Sequence, residues 1–145
     1  MTPDAIFQLC NTIAFFSWLI LIFVTPFWLE TDKLLIGTVI LLFGIVYTWL
    51  LFTGFSFVDF EQFSTLDGLM GLFTSKTAVT AGWVHYLAFD LLVGIWIVNN
   101  ARKHHLNHWL ITPCLFFTFM AGPFGLLLYL LLRLIKTKQY FAENF

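Results

Sequence analysis

Four stretches of this 145-residue chain are each apolar over bilayer-spanning length, at about 5–27, 34–54, 78–98 and 110–134. No other feature limits the fold as much. Composition agrees, with 60% hydrophobic and 10% charged residues and a mean hydropathy of +0.89, where a soluble domain carries roughly 25% charged. The net charge of −1 gives no concentrated basic surface of the kind nucleic acid selects. The expected fold class is all-α: a polytopic membrane protein, a four-transmembrane-helix bundle forming one integral membrane domain over residues 1–145.

The first run is longer than a signal h-region and lacks a small-residue cleavage site, so it is expected to stay as an anchor. Trp28, Trp49, Trp96, Trp109 and Tyr140 mark ends of the runs, where aromatic rings favour the headgroup level. The short link Leu29 to Lys33 forces antiparallel neighbours. The link from Phe55 to Thr77 sets Phe55, Phe57, Phe60, Phe63 and Phe73 among Asp59, Glu61 and Asp67. Ser64 and Asp67 have capping-box spacing, and Leu66, Leu69, Met70 and Phe73 follow at helical intervals. That pattern predicts a short interfacial helix at about 65–73 between helices 2 and 3; an ordered connecting loop is the alternative. Cys10 and Cys114 start the first and fourth runs, which four crossings place on opposite faces, too far apart to bridge. With an even number of crossings both termini share a side with Lys76, Arg133, Lys136 and Lys138, against Lys33, Arg102 and Lys103 on the other. Four against three favours cytoplasmic termini.

The third run, AGWVHYLAFDLLVG from Ala81 to Gly94, carries His85 and Asp90 near its middle. A carboxylate at that depth costs on the order of 3 kcal/mol on insertion scales. Such a group persists when it faces a polar interior, finds a partner or does chemistry. The two residues are five positions apart, so on a helix they point about 140° apart and touch different neighbours. The third helix is therefore expected to be the most enclosed. Depth matching puts Asn11 and Thr12, and Tyr47 and Thr48, near His85, and Ala121, Gly122 and Pro123 near Asp90. Pro123 removes the helical partner of the Phe119 carbonyl, so a kink or a polar cavity is expected there.

The bland alternative for His85 and Asp90 is interhelical polar glue. The cluster His104-His105-Leu106-Asn107-His108 beside Arg102 and Lys103 is read as a solvated loop rather than a metal box. No metal or other cofactor is expected.

The MTPD start, Asn11 and Trp18, the stretch AGWVHYLAFDLLVG and TFMAGPFGLLLYLLLR (Thr118 to Arg133) resemble the abscisic-acid-deficient-four-like family over nearly the whole chain. One departure is Ala14-Phe15-Phe16-Ser17, where the family pattern suggests a proline. Plastid members of that family are required for converting violaxanthin to neoxanthin in plants; without a transit extension this chain is similar to the bacterial branch. The resemblance implies an inner-membrane protein acting on a carotenoid or other isoprenoid. Opening an epoxide to an allene needs one acid and one base in a water-poor, apolar-walled pocket, and burial disfavours the charged form of a carboxyl. His85 and Asp90 are the candidate catalytic pair, in either role, with Asn11, Trp83, Tyr86 and Tyr129 binding or orienting substrate. The alternatives are a non-catalytic partner that binds a pigment or supports an assembly, and a proton or solute path at Asp90. Membrane lipid is the expected surrounding partner.

Overall fold

In a computed structural model that describes residues 1–54 and 61–138, every regular element is helical. Helix α1, Pro3–Leu19, continues into a π-helical turn at Ile20–Val24. Helix α2, Thr31–Leu35, passes through a second π-turn, Ile36–Ile40, into α3, Leu41–Gly54. Then follow α4 (Leu66–Leu72), α5 (Lys76–Lys103), α6 (His108–Ala121) and α7 (Pro123–Thr137). Phe55, Phe57, Asp59, Phe60 and Tyr140 lie outside the described residues.

Three continuous stretches, Pro3–Val24, Thr31–Gly54 and Lys76–Lys103, are long and apolar enough to cross a membrane. At 1.5 Å per residue even the shortest reaches about 33 Å, enough for a hydrocarbon core of about 30 Å. Lys76–Lys103 is 50% buried over its most apolar window, against 39% and 17% for the other two. The helix with the two ionisable side chains is the most enclosed, as expected.

The fourth apolar run departs from expectation. It is not one kinked helix but two, broken at Gly122. Gly122 sits at φ +31°, a left-handed conformation that favours glycine, and its N–H still bonds the Thr118 carbonyl at 2.8 Å. Pro123 opens α7 at a position where a helix has no use for an N–H. The chain then doubles back. A Cβ on Gly125 would overlap the backbone of Thr118 and the Cys114 carbonyl, and the rings of Phe117 and Phe124 meet edge-on at 5.3 Å. Helices α6 and α7 thus form a tight antiparallel hairpin. With 14 and 15 residues, each arm is about 22 Å long, too short to cross alone. Glycine followed by proline here stops one helix and starts the next.

The chain falls into two compact units. The first comprises Met1–Ser17 and Leu34–Phe89; the second comprises Trp18–Lys33 and the chain from Asp90 onward. In the first, Ile6, Cys10 and Ala14 on α1 recur at four-residue steps and meet Phe43, Leu50, Ala81, Val84 and Leu87. Asp4 and Lys76 form an exposed ion pair at 2.9 Å, which sets α1 and α5 parallel. Helix α4 confirms the short helix, with a corrected cap. Thr65 Oγ1 accepts from the Gly68 N–H at 3.1 Å, whereas the Ser64 hydroxyl donates to the Glu61 carbonyl at 2.7 Å. The α4 helix turns Leu72 inward and leaves Leu66 and Met70 exposed. In the second unit Trp18, Leu21, Leu91, Ile95, Val98, Ile111 and Leu115 are buried. Gly94 admits the Trp18 indole, which a Cβ there would meet at 2.6 Å. Both cysteines are free and buried, one in each unit.

Candidate functional site

Within the first unit three of the expected binding residues come together. The Trp83 indole N–H donates to Asn11 Oδ1 at 2.8 Å, and the Asn11 amide donates to the Phe7 carbonyl at 2.9 Å. The Trp83 ring lies 5.6 Å from Phe7 and 5.3 Å from Tyr86. Asn11 is thereby fixed with its oxygen toward α5, at the depth that parallel helices predict.

His85 is placed differently from expectation. It meets Tyr47 at 5.4 Å, at the matched depth, and stacks on Phe89 at 4.5 Å with 28° between planes. Yet its side chain is exposed rather than enclosed. The helical geometry explains the correction. Ala81, Val84 and Leu87 form the buried stripe of this part of α5, while His85 and Phe89, four apart, share an exposed stripe beside it.

Within the second unit Asp90 is buried, with 8% of its surface accessible. It lies at the turn of the hairpin: a Cβ on Gly122 would overlap Asp90 Oδ1 and come within 3.1 Å of Oδ2. The carboxyl occupies the space that the missing side chain leaves. Depth matching of Asp90 with Gly122 is therefore seen, although the chain arrives by a hairpin and not by a crossing. Beside it Thr118, fully buried, returns its hydroxyl to the Cys114 carbonyl at 2.8 Å.

Tyr129, expected to orient substrate, has another task. Its hydroxyl donates to Asn100 Oδ1 at 2.7 Å, and Arg133 Nη1 donates to the same oxygen at 3.0 Å. All three side chains are at least nine-tenths buried. The Trp96 ring packs edge-on against Tyr129 at 5.8 Å. This network holds α7 against α5. The sequence reading missed Asn100 and treated Arg133 as a flanking charge. A signal was present: Gly125, Tyr129 and Arg133 fall at four-residue steps, on the stripe that α7 buries.

The histidine cluster is also not uniform. His104 and His105 lie in the turn after α5, His105 with φ +54°. Burial, then the charges of Arg133, Lys103 and His105, hold His104 below its ordinary pKa. His108 leaves the expected solvated loop, its Nε2 2.9 Å from the Ile22 carbonyl. Arg102 Nη2 reaches the Thr25 carbonyl at 3.1 Å. Both side chains satisfy carbonyls at the end of the first apolar stretch, where a helix has no internal donors left.

Asn11, Trp83 and Tyr86 thus form one cluster with His85 beside it on α5, all in the first unit; Asp90 and Tyr129 belong to the second. Asp90 is buried and His85 is exposed. A family model described as ABA DEFICIENT 4-like matches residues 5–129. No curated protein and no solved structure matches the chain.

Proposed function

Because the chain belongs to the ABA4-like family, we propose that it is an intramembrane enzyme of isomerase type acting on a carotenoid or other isoprenoid in a bacterial inner membrane. The observation that carries this reading is Asp90, a carboxyl buried in a predominantly apolar helix against the backbone of Gly122. Burying an ionisable group at mid-helix is costly, and its retention points to use. Opening an epoxide to an isomer needs one acid and one base; Asp90 is the candidate acid and His85 the candidate base, or the reverse. The product is an isomer of the substrate, so no co-reactant is consumed. Asn11, Trp83 and Tyr86 offer an aromatic surface with one fixed amide. Tyr129 supports the hairpin rather than the substrate.

The test is pigment conversion in cells that make an epoxy-carotenoid, read by chromatography. Asp90→Asn and His85→Ala, each verified as inserted and folded, should abolish conversion. Turnover at the wild-type rate in both variants overturns the reading.

One observation favours a second reading. His85 is exposed beside Tyr47 and Phe89, an arrangement suited to packing against a flat apolar molecule without reacting. In that case the protein binds a pigment or supports an assembly, and Asp90 is structural. Pigment that copurifies at a fixed ratio and emerges unchanged would decide for it.

A further inference from the structure

The chain has seven Lys and Arg residues, and they are not spread evenly. Lys33, Arg102, Lys103, Arg133, Lys136 and Lys138 all belong to the second unit; Lys76, the seventh, pairs with Asp4 in the first. Three separate segments bring the six together. Arg102 reaches the carbonyls of Thr25 and Leu29, which ties the turn before Lys33 to the end of α5. Arg133 bonds Asn100 and bears on His104, which ties the end of α7 to the same place. Of the six, Lys33, Lys103, Lys136 and Lys138 are exposed. Lys33 pairs with Glu30 at 2.6 Å and lies near Asp32, so the exposed excess charge lies on the other three lysines, with half-buried Arg102 and buried Arg133 beneath them.

A cleft of about 340 Å³ opens at this end of the unit, lined by Thr25, Arg102, Asn107, His108 and Trp109, with Leu29 and Leu106 among its apolar wall; of the six cations, Arg102 stands in its lining. Arg102 has five N–H donors, and its contacts with Thr25, Leu29 and Asn99 occupy three, two of them at a long 3.4 Å. The cleft therefore combines a guanidinium having donors to spare, an exposed indole and an apolar wall. Trp28 and Trp109, both about half exposed, mark this end as headgroup level.

We propose that this cleft and its lysine collar bind the phosphate of an anionic phospholipid in the cytoplasmic leaflet. The guanidinium takes the phosphate oxygens, Trp109 lies at the glycerol level, and Lys103, Lys136 and Lys138 supply the surrounding field. The inference stands independently of the pigment chemistry. It also assigns a side. Lysine and arginine next to membrane crossings mark the cytoplasmic face, so the Lys103 end of α5 faces the cytoplasm and its Lys76 end the opposite compartment. This replaces the four-against-three count, which assumed an even number of crossings.

The test is a titration of the full chain in mild detergent with phosphatidylglycerol and, separately, with phosphatidylcholine of the same acyl chains, bound lipid being counted by native mass spectrometry. Phosphatidylglycerol should bind at least about tenfold tighter. The K103Q/K136Q/K138Q variant, altered only at exposed positions, should lose about half of that preference on a logarithmic scale, roughly threefold, and K76Q should keep it in full. Arg102→Gln, checked for helix content, should remove what preference remains. Equal affinity for the two lipids, or a triple variant that keeps its preference, overturns the proposal.

Discussion

Gly122→Ala is the substitution in which local geometry and packing act together. Gly122 is held at φ +31°, and an L-residue in such a conformation costs of order 1–3 kcal/mol. The new methyl would also overlap Asp90 Oδ1 and crowd its Cγ at 3.0 Å. Overpacking of this kind costs about 1–3 kcal/mol, so the sum is about 2–6 kcal/mol. The assay is equilibrium unfolding in mixed micelles, with a double-mutant cycle through Asp90→Ala. Removing the carboxyl should return the overlap share but not the backbone share, which gives a coupling of about 1–3 kcal/mol. Gly44 is the internal control, since a Cβ there has nothing within 4 Å; Gly44→Ala should be neutral or stabilising by up to about 1 kcal/mol. Wild-type stability for Gly122→Ala, or no coupling to position 90, would refute the placement of Asp90 at the hairpin turn.

Other outcomes follow from the buried network and the turn after α5. Asn100→Leu removes the acceptor shared by Tyr129 and Arg133 and should cost about 2–4 kcal/mol in the same assay, whereas Tyr129→Phe should cost about 1 kcal/mol. His104 should titrate below 6.5 by NMR in the folded chain, because burial and then Arg133 disfavour its charged form. The unfolded chain then binds that proton more readily, so this contribution to stability is complete above pH 6.5 and is lost as pH falls toward the folded value. A midpoint at or above 6.5 would contradict the assigned surroundings.

The first three long helices were legible because each keeps an apolar pattern at spanning length, uninterrupted by a stop signal. Depth was legible too: rise per residue alone put Tyr47 level with His85 and Gly122 level with Asp90, and put Asn11 within about a turn of His85, where it bonds Trp83 instead. The fourth run was misread because hydropathy is indifferent to direction. A 25-residue apolar stretch has the same composition whether it crosses or turns back, and only Gly122-Pro123 distinguishes the two. His85 was expected inside on the ground of cost, yet it shares a stripe with exposed Phe89. The cap of α4 moved from Ser64 to Thr65 because either hydroxyl can serve, and the Ser64 hydroxyl bonds backward to Glu61. Asn100 escaped notice because a lone amide near a helix end looks like solvated surface until Tyr129 and Arg133 converge on it.

The central structural claim is that α6 and α7 fold back on one another and bring Gly122 to Asp90. Spin labels at Leu110→Cys and Ile135→Cys, in a chain with Cys10 and Cys114 replaced by serine, measure this directly by pulsed electron resonance in nanodiscs. Antiparallel arms packed about 8–10 Å apart predict a label separation of roughly 10–20 Å. A distance near 38 Å, the length of 25 residues of unbroken helix, would mean that the run crosses the membrane and that the hairpin does not exist.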